Sequence, residues 1–290
     1  MNVRLSAGSF FLFVLVMLLA APRTAHAAES YDNCTGFITS IPTVISTQGT
    51  WCMKQDLATA MTSGFAITIG TNNVTIDCNN FKLGGLAAGL GTSALGIYGL
   101  DRANTTVRHC NIRGFEAGIY LQSTFAGGNL IEDNRLDGNT YVGIRVDGDG
   151  STIQRNRVFD TGESTLNTNA FGIASHYNVD IIGNTVSGVT ARTGGNGSAV
   201  GIETYLNSAN SVNGNRVRGL HHEGNGATAI FNYTGSRVVM RDNDLLGDAS
   251  TLTSGIECQD ADASAKNNVI SGFSTGITAC SDDGGNSVHP

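Results

Sequence analysis

Short runs in which apolar and polar residues alternate recur along most of this chain. After Gly118 the runs read GIYLQ, NLIED and NRLDG. Each run is too short for a helix, and apolar residues at every second position are typical of a half-buried strand. Gly, Asn and Asp lie between the runs, where the chain must turn. The pattern predicts an all-β protein built from many short strands.

Two recurring phrases show that the runs belong to a repeat. A Gly-Ile pair, once Ala-Ile, returns every 21 to 29 residues, and its members begin at Gly96, Gly118, Gly143, Gly172, Gly201, Ala229, Gly255 and Gly276. An Asn-x-apolar phrase lies between successive pairs, at Asn111, Asn134, Asn156, Asn184, Asn215, Asn243 and Asn268. Three strands per repeating unit predict a parallel β-solenoid whose coils bury their inward residues against one another. We expect the Asn to occupy one corner of each coil, where it tolerates left-handed backbone and bonds to the next Asn.

A family resemblance is carried by NVTIDCNNFKLGG, residues 73–85, and by the repeated units. The stretch resembles the opening coil of secreted right-handed parallel β-helix proteins of the pectin-lyase-like superfamily, and the units resemble that family's repeat over residues 66–288. The resemblance implies a right-handed parallel β-helix, a single-stranded solenoid of about 8–9 coils, over residues 66–290. It also implies an N-terminal cap at residues 28–65. Similar proteins close the solenoid with a short helix, and the spacing of Leu57, Ala60 and Met61 predicts one within residues 52–64.

The first 27 residues have the features of an export signal. Arg4 precedes an apolar run at residues 10–21, and Ala25 and Ala27 fit the small-residue cleavage rule, so we expect the mature chain to begin at Ala28. The apolar run is too short to favour a transmembrane helix, and no second such run follows. The sequence therefore predicts a secreted or periplasmic protein with no membrane span in its mature form.

Six cysteines remain in the mature chain, an even number that favours disulfides in an oxidising compartment. The expected pairs are Cys34 with Cys52 in the cap, Cys78 with Cys110 across neighbouring coils, and Cys258 with Cys280 near the far end. The last pair carries a difficulty. Counting from the Ile of each pair places Cys258 inward and Cys280 outward, so this bond needs a bulge or a strand that has already ended.

Charge restricts the class of partner. The net charge is −7, the sequence pI is near 5.3, and only three residues are Lys. These values argue against a general binder of nucleic acid or anionic membrane. The superfamily includes polysaccharide lyases, glycoside hydrolases, epimerases and non-catalytic members, so a polysaccharide is the expected partner.

Two outward rows follow from the alternation along the strand that begins at each Gly-Ile. The first row is Tyr98, Tyr120, Arg145, Ala174, Glu203, Phe231, Glu257 and Thr278, and the second is Leu100, Gln122, Asp147, His176, Tyr205, Tyr233, Gln259 and Cys280. Neighbours in a row should lie ~4.8 Å apart. The predicted patch spans four coils, and the longest inter-strand segments, residues 157–171, 185–200 and 216–228, are expected to form a wall beside it.

The patch contains the candidate catalytic residues. A uronan lyase or C5-epimerase must neutralise a carboxylate, for which Arg145 is suited, and must move a proton, for which His176 or Tyr205 is suited. A glycoside hydrolase needs two carboxylates, and the nearest are Asp147 and Glu203, on the order of 10 Å apart, which would suit inversion at best.

The candidate substrate-binding residues are Tyr120, Phe231, Tyr233 and Arg192. No metal ligands and no cofactor are predicted, except Ca²⁺ if the protein is a lyase. Exposed Tyr and Phe are also ordinary strand formers, and the motifs of polygalacturonase-like hydrolases and pectate lyases are absent from the sequence. A non-catalytic β-helix that binds glycan or serves a structural role therefore stays open beside the lyase, epimerase and hydrolase hypotheses.

Overall fold

In the computed structural model the chain winds through three long parallel sheets, and each coil contributes one strand to each sheet. The structure describes residues 31–207, 210–235, 237–259 and 262–289. The strands belong to one unit, Asn33–Pro290. The predicted export signal at residues 1–27 lies outside the described residues.

Each strand pairs with the equivalent strands of the coils before and after it, except at the two ends of each sheet, where a strand has one partner. Sheet A holds β1 Gly36–Ile38, β3 Gly49–Met53, β6 Val74–Asp77, β9 Thr106–Arg108, β12 Leu130–Glu132, β15 Ser151–Gln154, β18 Val179–Ile182, β21 Ser211–Asn213, β24 Val239–Arg241, β27 Ser264–Lys266 and β30 Ser281–Asp282. Sheet B holds β2 Thr43–Ile45, β5 Phe65–Ile69, β8 Leu95–Leu100, β11 Ala117–Gln122, β14 Val142–Asp147, β17 Ala170–His176, β20 Ala199–Asn207, β23 Ala227–Gly235, β26 Thr253–Cys258 and β29 Thr275–Thr278. Sheet C holds β4 Leu57–Ala58, β7 Lys82–Gly84, β10 Asn111–Arg113, β13 Arg135–Asp137, β16 Arg157–Gly162, β19 Thr185–Thr190, β22 Arg216–His221, β25 Asp244–Leu246, β28 Val269–Ser271 and β31 Ser287–His289. The ten stacked strands of sheet B correspond to about nine turns, which confirms the predicted solenoid.

The core is a set of apolar columns inside the coils. In sheet B the Ile of each Gly-Ile pair stacks on the Ile of the next coil, as Ile144 does on Ile173 and Ile173 on Ile202. All three are fully buried. Equivalent columns of Ile, Val and Leu come from sheets A and C, so burial of apolar area along the axis stabilises each coil against its neighbours.

A buried Asn ladder lies at the corner between sheets A and C. Its members are Asn134, Asn156, Asn184, Asn215, Asn243, Asn268 and Asn286. The side-chain amide of each donates to the Oδ1 of the next, at 2.9 to 3.1 Å, as Asn184 Nδ2 does to Asn215 Oδ1 at 3.0 Å. The expected stacking is therefore confirmed.

Two details of the Asn prediction were wrong. Asn111 is outside the ladder. Cys110 occupies the equivalent position in that coil, and the backbone N–H of Cys110 donates to Asn134 Oδ1. The left-handed residue is the one before each ladder Asn, such as Arg155 (φ 55°) before Asn156. The Asn supplies the hydrogen bonds of the corner, whereas the residue before it makes the turn.

The predicted capping helix is also wrong. Residues 52–64 contain the end of β3, the short strand β4 and bends. Strand β4 pairs with β7 and extends sheet C, and this pairing buries Leu57. The apolar residue that was assigned to a helix face therefore lies in a strand at the edge of the sheet. Strands β1 to β4 thus lie in the same three sheets as the later coils, and the division at residue 65 stays a prediction.

All three expected disulfides are present: Cys34–Cys52, Cys78–Cys110 and Cys258–Cys280. The third is possible because β29 ends at Thr278 and Ala279 is left-handed (φ 57°), which reverses the alternation before Cys280. The described part of the chain contains no helix with the length and apolar character that a membrane crossing requires.

Candidate functional site

The outer face of sheet B brings most of the predicted site residues into register. Tyr120 lies opposite Arg145, Arg145 opposite Ala174, Ala174 opposite Glu203, and Glu203 opposite Phe231. In the second row Asp147 lies opposite His176 and His176 opposite Tyr205. The first row read from the sequence is therefore a row in the structure from Tyr98 to Thr278, and the second is one from Asp147 to Tyr205.

Beyond Tyr205 the register shifts. Tyr205 lies opposite Thr234 instead of Tyr233, so the strand pair β20–β23 contains a bulge at this point. The exposed ring of Tyr233 still lies 5.0 Å from the Tyr205 ring and 5.8 Å from the Phe231 ring, measured between centroids. Tyr233 therefore joins the patch from a position that simple alternation does not give.

Arg145 is the centre of the patch. Its Nε lies 3.4 Å from Asp147 Oδ1, and its guanidinium carbon lies 4.9 Å from the centroid of the Tyr120 ring. Its Nη2 lies 3.3 Å from both ring nitrogens of His176. If Nη2 lay in the plane of the imidazole at these two distances, it would collide with Cε1, the ring carbon between the two nitrogens. Nη2 must therefore lie above the ring plane. The guanidinium therefore covers the face of the imidazole.

His176 lies between this guanidinium and the ring of Tyr205, whose centroid is 4.8 Å from its own. Burial, reinforced by the charge of Arg145, lowers the pKa of His176 from 6.5 to about 4. Asp147 Oδ1, 3.6 Å from His176 Nδ1, favours the imidazolium, but this attraction is outweighed. At neutral pH His176 is therefore an uncharged base.

The carboxyl of Asp147 is less accessible than the outward position predicted. The residue is only 5% exposed, because Arg145 and His176 lie against it. Burial raises the pKa of Asp147, and the charge and hydrogen bond of Arg145 oppose the increase. Asp147 is therefore placed to orient the side chains of Arg145 and His176.

Glu203 lies on the other side of Ala174 from Arg145 and is half-buried. Burial raises the pKa of its carboxyl, and the positive charge of Arg145 opposes that shift. Glu203 thus faces solvent from a partly desolvated position, unlike Asp147.

Two grooves lie on this face, one on either side of an aromatic ridge formed by Tyr141 and Phe171. Their rings meet edge to face with centroids 5.6 Å apart. The Arg145 groove, a cavity of about 310 Å³, is lined by Gly64, Phe65, Ser93, Leu95, Glu116, Ala117, Tyr120, Tyr141, Val142 and Arg145. The Phe231 groove, a cavity of about 230 Å³, is lined by Asn169, Phe171, Ser198, Val200, Glu203, Asn225, Thr228, Phe231, Tyr233 and Glu257. Asn169, Ser198 and Asn225 come from the long segments that were expected to form a wall.

Sequence reasoning missed Tyr141, Phe171 and Glu116. Strict alternation from Ile173 turns Phe171 inward, but Gly172 breaks the alternation. A Cβ on Gly172 would lie 2.3 Å from a methyl of Val186 and 2.6 Å from the carbonyl oxygen of Gly201, so this position also faces the interior. The residue before each Gly-Ile is therefore outward, and the apolar character of that position in Leu95, Ala117, Val142, Phe171 and Val200 was the available signal.

Arg192 is held away from the central cluster. Its Nη1 donates to the carbonyl oxygen of Thr165 at 3.0 Å, and its backbone N–H donates to that of Thr168 at 3.0 Å. These bonds fix it within the wall of segments that precede β17 and β20, and it is absent from the lining of both grooves. Its role in binding substrate stays a prediction.

Within the described residues, no group of three or more His, Cys, Asp or Glu could hold a metal ion. The Ca²⁺ requirement expected of a lyase stays a prediction.

The family described as the right-handed beta helix region matches residues 59–217. No curated protein matches the sequence.

Several solved structures are similar in fold. The enzymatically active domain of tailspike protein 2 of bacteriophage CBA120 has a TM-score of 0.61 and 17% identity, over 88% of this chain and 41% of that chain. A double mutant of the tailspike protein of E. coli bacteriophage HK620, solved in complex with a pentasaccharide, has a TM-score of 0.47 and 12% identity, over 87% of this chain and 56% of that one. The A-module of the mannuronan C-5 epimerase AlgE6 from Azotobacter vinelandii has a TM-score of 0.39 and 13% identity, over 83% of both chains. The chain thus spans less than half of the first of these, and at such identities the likeness shows the fold alone.

Proposed function

The chain belongs to the right-handed beta helix family, and on that premise we propose that it binds an acidic polysaccharide along the outer face of sheet B and cleaves it by β-elimination beside Arg145. The observation that carries the proposal is the position of the His176 imidazole between the Arg145 guanidinium and the Tyr205 ring. A cation, a neutral base and a phenol in contact are the groups that proton removal next to a carboxylate requires.

Polysaccharide binding is supported by an aromatic track along the solenoid axis. Phe65 and Tyr98 stack at 4.2 Å, and Tyr98 meets Tyr120 at 5.9 Å. Beyond the central cluster the track continues through Tyr205, Tyr233 and Phe231. Aromatic rings offer the apolar faces of sugars large areas of contact at low cost in side-chain entropy, and the two grooves give such a chain room to lie.

Arg145 is suited to the carboxylate of a uronate. Its side chain is 27% exposed and lines the Arg145 groove. An arginine–carboxylate pair is charge-assisted and can be bidentate. Pairing with substrate would also weaken the repulsion between Arg145 and a protonated His176, so substrate binding raises the basicity of the imidazole at the moment it is needed.

His176 takes the C5 proton, the electrons of the C5–H bond form the C4–C5 double bond, and the C4–O4 bond breaks. The leaving O4 takes a proton from the Tyr205 hydroxyl. Both groups project from the same face of sheet B, so a sugar above them meets base and acid on one side. This placement favours syn elimination over epimerisation, which needs a proton donor on the opposite face.

Hydrolysis by Asp147 and Glu203 is the less supported alternative. A hydrolase needs two carboxyl groups that both reach the glycosidic bond. Asp147 is buried under Arg145 and His176, so we assign it a positioning role.

Glycan binding without chemistry is the second candidate, and one observation favours it. Arg145 already has a carboxylate partner in Asp147, which reduces the charge it can offer to a substrate. Under this alternative the aromatic track and the two grooves bind glycan while His176 and Tyr205 serve as surface contacts.

An exported location is also part of the proposal. Three disulfides in one chain are typical of proteins from oxidising compartments. Extracellular and envelope polysaccharides are found there, which supports a secreted or periplasmic protein.

The test is an assay of the purified chain, with and without Ca²⁺, on alginate, pectate, glycosaminoglycans and neutral glycans. Ultraviolet absorbance of the unsaturated product, reducing ends and binding are measured together. We expect unsaturated product from one uronan, and its loss in His176→Gln and Tyr205→Phe with binding retained. New reducing ends without absorbance would overturn β-elimination in favour of hydrolysis, and binding without either signal would leave the non-catalytic alternative.

A further inference from the structure

The Phe231 groove differs in charge from the Arg145 groove. Two of its lining residues are glutamates, Glu203 and Glu257, and none of its described lining residues is Lys, Arg or His. A uronate placed here would face two carboxylates with no cation in the lining of the groove. The groove therefore requires a different sugar from the one that Arg145 accepts.

The two glutamates flank an aromatic face. Glu203, Phe231 and Glu257 are direct partners on the neighbouring strands β20, β23 and β26, so the ring lies between the carboxylates at strand spacings of ~4.8 Å. Tyr233 adds a second ring, edge to face with Phe231. Carboxylates beside aromatic faces form the kind of site that binds an organic ammonium ion.

One of the two carboxylates has a hydrogen-bond partner within the groove. The Thr228 hydroxyl donates to Glu257 Oε2 at 3.3 Å. Glu203 is partly desolvated, and this burial raises the pKa of its carboxyl, so a positive ligand would relieve an unfavourable charge. The polar wall residues Asn169, Ser198 and Asn225 lie across the groove and offer hydrogen bonds to sugar hydroxyls.

We infer that the Phe231 groove is a subsite for a sugar with a free ammonium group, that is, an unacetylated hexosamine unit. The inference rests on the proposed polysaccharide binding at sheet B. Combined with a uronate beside Arg145, it describes a substrate that carries both signs of charge along one chain.

Calorimetric titration with three oligosaccharides of equal length tests this assignment: a glucosamine oligomer, its N-acetylated counterpart and a uronate oligomer. A charge-assisted contact is worth ~1.5–3 kcal/mol, so the glucosamine oligomer should bind about tenfold or more tightly than the acetylated one. The preference should disappear in Glu203→Gln/Glu257→Gln. It should also fade as the pH rises through the pKa of the sugar amine. Asp244→Asn, which removes an exposed carboxylate from sheet C, is the matched control and should leave the preference unchanged.

The outcomes separate this inference from the proposed function. Equal binding of the amine and the acetylated oligomer, or a preference that survives the double variant, would overturn the hexosamine subsite, while turnover of a uronan would leave the function in place. A preference for the amine with no uronan turnover would support the subsite and overturn the elimination. No binding of any oligomer would overturn both.

Discussion

At the scale of single residues, the chemistry depends on what lies around each group more than on which group it is. Asp147 and Glu203 are both outward carboxylates by sequence, yet one is buried against Arg145 and the other lines a groove. Alternation predicts the row in which a residue lies. It does not predict whether Arg145 folds over its neighbour, because that depends on side-chain packing between coils. The residue types of the site were therefore predictable, and the division of roles was not.

The depressed pKa of His176 makes the fold sensitive to acid. Its folded-state pKa of about 4 lies below the ordinary 6.5, so the unfolded chain binds this proton more readily. The contribution of His176 to stability is therefore complete above pH 6.5 and is lost as the pH falls toward 4, on the order of 3 kcal/mol in total. Urea unfolding of the native protein and of His176→Gln should show their difference in unfolding free energy shrink across this window. Parallel pH profiles for the two proteins would contradict the shift.

Asp147→Asn tests the positioning role of this carboxyl. The change keeps the shape of the side chain and removes the charge that favours the imidazolium, so the pKa of His176 should fall further. Turnover of a uronan should drop by about tenfold or more, because the guanidinium loses the partner that orients it, while oligosaccharide affinity changes less. NMR titration of the imidazole and the split between kcat and KM measure these effects. A His176 pKa that stays constant or rises in this variant would refute the role.

At the scale of elements, the repeat predicted the solenoid because each coil obeys the same two constraints. An Ile must face inward, and the corner must satisfy buried backbone groups. What the repeat did not predict were the places where geometry changes within it. Gly172 removes one step of alternation, β20 and β23 contain a bulge, and the segment 52–64 adds the short strand β4 to sheet C although its spacing resembles a helix. At each of these places, contacts with neighbouring coils decide the local structure, and the pattern of apolar residues in the sequence does not.

The Asn ladder gives a prediction at this scale. Asn184 donates to Ile153 O and Asn215 Oδ1 and accepts from Asn156, all in the interior. Asn184→Ala leaves several buried polar groups without partners and should lower the free energy of unfolding by about 3 kcal/mol. Asn111→Ala, in the same phrase of the sequence but outside the ladder, should cost less than about 1 kcal/mol. Urea denaturation distinguishes the two, and equal costs would show that the ladder is not what stabilises the corner.

At the scale of the whole molecule, each coil contacts only its neighbours, so stability is a sum of local terms. The site spans coils in the middle of the solenoid, where both sides are supported. The position of the site in the middle coils could be predicted from the sequence, because the long segments and the polar outward residues occur in the same repeat units. The chemistry of the grooves was less readable, because it depends on which outward residues meet across strands.

The Cys258–Cys280 disulfide tests the local character of stability. It closes a separation of 22 residues near the end of the solenoid. Replacing both cysteines by Ala should reduce amide-exchange protection in β26 to β31 and leave the central strands β14 to β20 unchanged. Turnover or glycan binding at sheet B should be retained in this variant. Uniform loss of protection along the chain would contradict a quasi-one-dimensional solenoid.

A crystal structure of His176→Gln with a bound uronate oligosaccharide is the most direct test of polysaccharide binding beside Arg145. We expect the sugar chain to lie along the outer face of sheet B, with a carboxylate on the Arg145 guanidinium and C5 of the same sugar facing residue 176 and the Tyr205 hydroxyl. An oligosaccharide bound to sheet A or sheet C, or one on sheet B whose carboxylates all point away from Arg145, would contradict it.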